Sequence, residues 1–165
     1  MDNLWAPWRM EYILGHDRQE GCILCPGPDR TADRERLMLH VGSLSLVMMN
    51  RYPYNNGHLL VAPIRHVADP RELSPAETAD LWAKGRAALD CLQELMSPDG
   101  FNVGLNLGKS AGAGVAEHVH VHVVPRWEGD TNFMTVLSEV RSIPEHLLAT
   151  FDRLRPLLAK ALGEA

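Results

Sequence analysis

Three histidines occupy alternate positions in Glu117-His118-Val119-His120-Val121-His122-Val123-Val124-Pro125. Successive side chains of an extended chain point to opposite faces. His118, His120 and His122 therefore share one face, and Val119, Val121 and Val123 share the other. The valines suit a core, which leaves the imidazoles on an open surface. Such a face admits two chemistries. Neutral imidazoles can ligate a metal, or one imidazole can act as a nucleophile while its neighbours hold it. Surface histidines scattered by chance would not keep this alternation. The preceding loop, Gly108-Lys109-Ser110-Ala111-Gly112-Ala113-Gly114, carries no bulky side chain. Glycine allows close approach of backbone to ligand, and successive N–H groups in such a loop can cradle an anion. Lys109 and Ser110 add donors. Beside three histidines, this loop favours a phosphate next to an imidazole.

A second constellation is Cys22-Ile23-Leu24-Cys25. Its spacing is that of half a tetrahedral zinc site. No second pair of this kind exists, so the remaining ligands would be histidines. The competing readings are two reduced core cysteines or a redox pair. The redox pair lacks a thioredoxin-like βαβ context. With Cys91 the chain has three cysteines, a poor disulfide framework that suits a reducing compartment. Cys91 itself reads as a small core residue on a helix. His16, His40 and His146 read as surface residues, with His40 a competing zinc ligand.

The elements that must position these groups are legible from pattern. Residues 36–41 and 44–49 read as strands around the turn Gly42-Ser43. Tyr52-Pro53-Tyr54-Asn55-Asn56-Gly57 is a turn, and residues 58–62 are the next strand. Ser74-Pro75-Ala76-Glu77 offers an N-cap, a proline at the first helical position and a capping box. The helix should run to about Met96, with Leu81, Ala88, Leu92 and Leu95 on one stripe broadened by Trp82 and Leu89. Ser97-Pro98-Asp99-Gly100 stops it. Residues 101–107 and 117–125 read as strands. A last helix starts near Glu145, and Pro156 should kink or interrupt it. The expectation is an α+β domain: a mostly antiparallel sheet with one long central helix and a C-terminal helix.

Composition excludes several classes. The chain has 165 residues, 45% apolar and 22% charged, with a formal net charge of −5. That length fits one domain with a real core. The acidic balance gives no general attraction for nucleic-acid backbones, so a polyanion must be met locally by directed donors. No apolar run approaches the roughly 20 residues of a membrane span. The start, Met1-Asp2-Asn3-Leu4-Trp5-Ala6-Pro7-Trp8-Arg9, lacks the smooth apolar stretch of a signal peptide, and the expected location is cytoplasmic. Residues 2–34, rich in Pro, Gly, Trp and charge, should wrap the domain, with Trp5 and Trp8 as packing anchors.

The histidine strand resembles the His-φ-His-φ-His-φ-φ signature of the histidine-triad (HIT) nucleotide hydrolases and transferases. The likeness extends to Asn50-Arg51 with Gly57-His58-Leu59-Leu60-Val61-Ala62-Pro63. Residues 4–9, 101–106 and 125–133 resemble a longer bacterial branch that includes diadenosine-tetraphosphate phosphorylases. The resemblance implies a HIT-like fold with about five antiparallel strands. Residues 1–165 would form one such domain: an N-terminal wrapping segment over 1–34, a core over 35–140 and a C-terminal helix over 141–165. It implies cleavage of dinucleoside polyphosphates through a nucleotidyl-histidine, with His120 as nucleophile. His122 would contact the phosphate, and His58 would stand behind the triad as a fourth histidine. Asn50 would bind ribose hydroxyls, and Asn106 would lie near the bridging or leaving oxygen. Gly112, Ala113 and Gly114 would contact phosphate, in a loop one residue longer than in short members. Arg126 and Trp127 would lie at the far edge of the site, ordered by residues 130–133. Zinc-bearing members of the superfamily point to His66 and His118 as partners of Cys22 and Cys25, so His118 would serve structure. No organic cofactor is expected, and the usual assembly is a homodimer with joined sheets and paired long helices.

The chemistry is coherent with that resemblance. Neutral imidazole is nucleophilic at pH 7 without losing a proton, and donors must meet the charge on the phosphate oxygens. A polyphosphate leaving group is a weak base, with a phosphate second pKa of about 6, and needs little acid help. An amine leaving group needs a proton, which separates this reaction from a phosphoramidase. The acceptor is inorganic phosphate or water, and the long-branch segments favour phosphorolysis over asymmetric hydrolysis. Outside this class stand a nucleotide-binding regulatory module without turnover and a metal-dependent hydrolase using all three histidines.

Overall fold

The computed structural model describes residues 21–130 and 143–163. Trp5, Trp8, His16 and residues 131–133 lie outside the described residues. Five strands form one antiparallel sheet: β1 (Met38–Val41), β2 (Ser45–Met49), β3 (Leu59–Pro63), β4 (Gly100–Leu105) and β5 (Val121–Arg126), in the order β1-β2-β3-β5-β4. Helix α1 (Pro75–Met96) crosses from β3 to β4, and α2 (Leu147–Ala161) follows β5. Among the described residues, no helix is long and apolar enough to cross a membrane.

The period-2 pattern sorts the sheet into two faces. Leu37, Leu39, Val47, Met49, Leu59, Val61, Val121 and Val123 form one core with Leu81, Ala88 and Leu92 of α1 and Phe151, Leu154 and Leu158 of α2. On the other face Met38, Leu46, Met48, Leu60 and Ala62 pack with Leu24 of the cysteine segment, and with Ile64 and Val115 at its margin. Leu60 pairs with His122 across β3 and β5. The helices thus cover one face, and the histidines belong to the other.

Helix α1 begins as its sequence dictates. Ser74 accepts from the Glu77 N–H, the Glu77 carboxylate accepts from the Ser74 N–H at 2.8 Å, and Pro75 occupies the first turn. Ser97 closes the helix in the left-handed region. Trp82 does not broaden the buried stripe: it is 54% exposed, and Gly85 takes the place on the buried face one turn after Leu81. Pro156 does not interrupt α2, which runs through it. Both Pro156 and Asp152, whose carbonyl loses its donor there, are exposed, so solvent can serve the carbonyl.

The histidine strand is shorter than its alternation suggests. It starts at Val121, and residues 118–120 form a lead-in outside the ladder. Opposite it, β3 ends in Pro63, which has no N–H to offer. The Pro63 carbonyl is engaged by the His118 ring instead, at 2.9 Å. The Val119 N–H donates to the Val67 carbonyl at 2.7 Å.

Candidate functional site

His58 reaches the site because the turn before it passes close against α1. Gly57 has a φ of +74°, and a Cβ there would stand 2.8 Å from Met96 Sδ and 3.0 Å from Leu92 Cδ2. Only glycine satisfies both conditions. His58 is then fully buried beside His122.

The expected open surface is not what forms. His58 and His118 have no exposure, and His120 has 6%. The cysteine segment, through Leu24, and the end of the glycine loop, through Val115, close over this face. Burial makes each ring's hydrogen-bond partner decide where its proton sits. The Tyr54 N–H can only donate, and it meets His58 Nδ1 at 3.0 Å. The neutral His58 proton is therefore on Nε2, 3.0 Å from His122 Nδ1. His122 accepts there and carries its own proton on Nε2, which faces the Asn106 amide at 3.5 Å and requires that amide to turn its oxygen, not its NH2, towards the ring. Desolvation, and then the neighbouring His120, hold His122 down to about 4, so it is neutral at pH 7. His120 follows the opposite rule. Its Nδ1 faces the His118 carbonyl at 2.8 Å and must donate, so in the neutral imidazole the lone pair is on Nε2. The rings of His120 and His122 have centroids 4.8 Å apart. A lone pair and an N–H donor thus stand side by side.

Two supports went unread in the sequence. Tyr54 stacks on His122 with centroids 5.6 Å apart and planes at 14°, and also meets the His58 ring at 4.6 Å. An aromatic four residues before a buried histidine was the available signal, but turn chemistry masked it. Asn50 lies with Nδ2 3.3 Å from His58 Nδ1, and its Oδ1 accepts from the Tyr52 N–H at 2.9 Å. It therefore braces the histidine pair.

The glycine loop holds a short 3-10 turn, Lys109–Ala111, with Gly108 and Gly112 at positive φ. It is not a preformed open nest. The Gly112 N–H donates to Lys109 O at 3.0 Å, and the Ala113 N–H to Gly108 O at 3.3 Å. Arg126 lies four residues along β5 from His122, roughly 13 Å away. Its guanidinium is bidentate on Asp130, at 2.6 and 2.7 Å, and donates to Asn102 Oδ1. Asp130 also accepts from the Trp127 N–H and from Asn55. Arg126 therefore organises the turn that carries half-buried Trp127.

The cysteine pair joins the expected histidines. Cys22, Cys25, His66 and His118 bring four ligand atoms within 4.8 Å of one another. Cys22 Sγ is 3.3 Å and Cys25 Sγ 3.6 Å from His118 Nδ1, and Cys25 Sγ is 3.4 Å from His66 Nδ1. Zn–S bonds of about 2.3 Å and Zn–N bonds of about 2.0 Å at tetrahedral angles put sulfur and nitrogen roughly 3.5 Å apart. His118 gives Nε2–H to Pro63 O, which leaves Nδ1 as the ligand atom. The residues fit a tetrahedral Cys2His2 metal ion. Arg36 supports the knuckle by donating to Cys25 O at 2.6 Å, beside Gly27, where a Cβ would strike its guanidinium. His40 is not in the cluster. It is buried on β1, not a surface residue, and its Nε2 lies close against Gly42, where a Cβ would stand 3.0 Å away.

The sequence model described as the HIT domain matches residues 36–129. A Mycobacterium tuberculosis protein named AP-4-A phosphorylase is 41% identical, covering 91% of this chain and 80% of its own length. A Dictyostelium discoideum bis(5'-adenosyl)-triphosphatase is 34% identical over 59% of this chain and 64% of its own. Among solved structures, a Zn-bound histidine triad family protein from Mycobacterium smegmatis superposes with a TM-score of 0.62 at 30% identity, covering 78% of this chain and 88% of that one. This chain belongs to the HIT family.

Proposed function

We propose that this protein cleaves dinucleoside polyphosphates of the diadenosine tetraphosphate type through a nucleotidyl-histidine at His120. One observation carries the assignment of the nucleophile: the His120 Nδ1–H is committed to the His118 carbonyl, so Nε2 presents its lone pair. The relative named AP-4-A phosphorylase, similar along most of the chain, supports the substrate class.

Nε2 of His120 attacks the α-phosphorus, and the bond from that phosphorus to the bridging oxygen breaks. The polyphosphate nucleotide leaves without needing a proton. The His122 Nε2–H meets a non-bridging oxygen as charge develops, and His58 holds His122 in that tautomer. Asn106, beside His122, serves the leaving oxygen, and Asn50 borders the ribose. Gly112, Ala113 and Gly114 contact the phosphates once their turn yields its N–H groups. Trp127 lines the far edge, braced by Arg126 through Asp130. Inorganic phosphate then attacks the phosphorus, and the phosphorus–nitrogen bond breaks, which releases ADP and the free imidazole.

Cys22, Cys25, His66 and His118 hold a structural zinc in this reading, and Lewis-acid charge neutralisation of the thiolates is what the ion supplies. The assembly is a homodimer joined at β4, whose edge exposes Val103 and Leu105. The test incubates the protein with diadenosine tetraphosphate, with and without inorganic phosphate. ADP plus ATP, formed only with phosphate, is the expected result. His120→Ala should bind nucleotide and show no turnover; retained turnover would overturn the assignment.

A further inference from the structure

His118 belongs to two constellations at once. Its side chain presents Nδ1 to the thiols of Cys22 and Cys25. Its backbone carbonyl accepts the Nδ1–H of His120. That bond fixes both the tautomer and the ring orientation of His120. The carbonyl, however, lies in the lead-in, where the sheet does not hold it: the ladder begins at Val121.

Among the described residues, His118 and Val119 of the lead-in are tied in three ways. The Val119 N–H binds Val67 O at 2.7 Å. The His118 Nε2–H binds Pro63 O at 2.9 Å. The third tie is the ring of His118 within the Cys22–Cys25–His66 cluster. Two of the three run to the stretch 63–67, and His66 of that stretch is itself in the cluster. The cluster therefore clamps both strands of chain that the sheet leaves unpaired, and the His120 acceptor rides on one of them. Tying His118 into a four-ligand centre adds a rigid closure that two hydrogen bonds cannot supply.

We infer that the Cys22–Cys25–His66–His118 centre is a positioning device for the His120 imidazole, so that its integrity governs turnover as well as stability. This rests on the nucleophilic role proposed for His120. A centre that served stability alone would leave catalysis by the folded protein unchanged when it is lost. A positioning centre predicts that a folded chain without it has a free-swinging His120 ring, mixed tautomers and a slow chemical step. A misplacement on the order of 1 Å costs about 100-fold in rate.

The test uses His66→Ala, because the contact of His66 with the lead-in, its ring edge-on to the His118 ring at 4.9 Å, lies inside the cluster, with His66→Cys as the conservative variant that keeps four ligands. Zinc content, the ¹⁵N shifts of the His120 ring, kcat and KM are measured below the melting transition of each protein. The expected result for His66→Ala is lost zinc, averaged ¹⁵N shifts at Nδ1 and Nε2 of His120, and kcat lower by about 10- to 100-fold with little change in KM. His66→Cys should retain zinc and recover both the single Nδ1–H tautomer and kcat. A His66→Ala protein that lacks zinc yet keeps one His120 tautomer and wild-type kcat overturns the inference, as does wild-type protein that takes up no zinc. Should His66→Ala not fold, stepwise chelation of the wild type separates the same two outcomes, read by the same ¹⁵N shifts with near-ultraviolet circular dichroism as the folding check. Absence of covalent nucleotide on wild-type His120 would sink the nucleophile assignment separately, because the zinc and tautomer readings do not depend on substrate.

Discussion

The proton on each site imidazole is set by a backbone group, and that is what makes the histidines unequal. A carbonyl holds the Nδ1–H of His120, whereas a backbone N–H, through His58, holds His122 as an Nδ1 acceptor. Protonating His122 would place an N–H against the His58 N–H in a desolvated pocket. The expected outcome is that His122 titrates near 4 by ¹⁵N-detected NMR; a midpoint near 6.5 would contradict the buried arrangement. The sign for stability follows. The folded value lies below the unfolded one, so the unfolded chain takes the proton first as pH falls below about 6.5. Stability is fully present above that pH and declines until about 4, where both states are protonated. Tyr54→Leu keeps the N–H but uncovers one face of His122, and should move its midpoint upward; Tyr54→Phe should not. These distinctions were invisible in the sequence. Alternation showed a shared face but not its burial, because the Cys22–Cys25 segment that meets His118 lies some hundred residues away in the chain.

Elements with local signals were legible almost to the residue. Ser74, Pro75 and Glu77 fix the start of α1, and Ser97-Pro98 its end, because caps and prolines act within one turn. Lengths decided by distant partners were not. The start of β5 depended on Pro63 across the sheet, and the exposure of Trp82 depended on which face of α1 met the strands. The cap of α1 also reaches beyond the helix: the Glu77 carboxylate binds Arg65 at 3.0 Å through both Nε and Nη2, next to His66. Arg65, and then the Ser74 N–H, hold the Glu77 carboxyl down at about 2. Its folded value is below the ordinary 4.5, so its stabilisation is present above about 4.5 and is lost as pH falls towards 2. Glu77→Gln should flatten that part of the acid unfolding curve. Ser74→Ala should cost about 0.5–2 kcal/mol in denaturant unfolding, the usual worth of an N-cap, with no change in kcat. A loss of turnover at full folding would mean that the cap also tunes the Arg65–His66 segment.

At the scale of the whole molecule, the sheet separates stability from chemistry. Both helices pack on one face, and the cysteine knuckle and the histidines occupy the other. One boundary of this plan is left open: among the described residues, β4 pairs only with β5. Its Val103 and Leu105 are exposed, Leu107 beyond it is half exposed, and Trp82 stands out from α1. Val103 pairs with Val123, and Leu105 with Val121, so both lie on the helix side of the sheet. An edge strand with apolar side chains is an aggregation hazard unless something covers it, and a second copy across a two-fold axis would pair the edges and pack the exposed side chains together. Val103→Lys adds a charge at that edge, on the face of the sheet opposite the histidines. It should convert a dimer into a folded monomer by sedimentation velocity, with the zinc content unchanged. A variant that sediments as the wild type does would overturn the proposed dimer contact at β4.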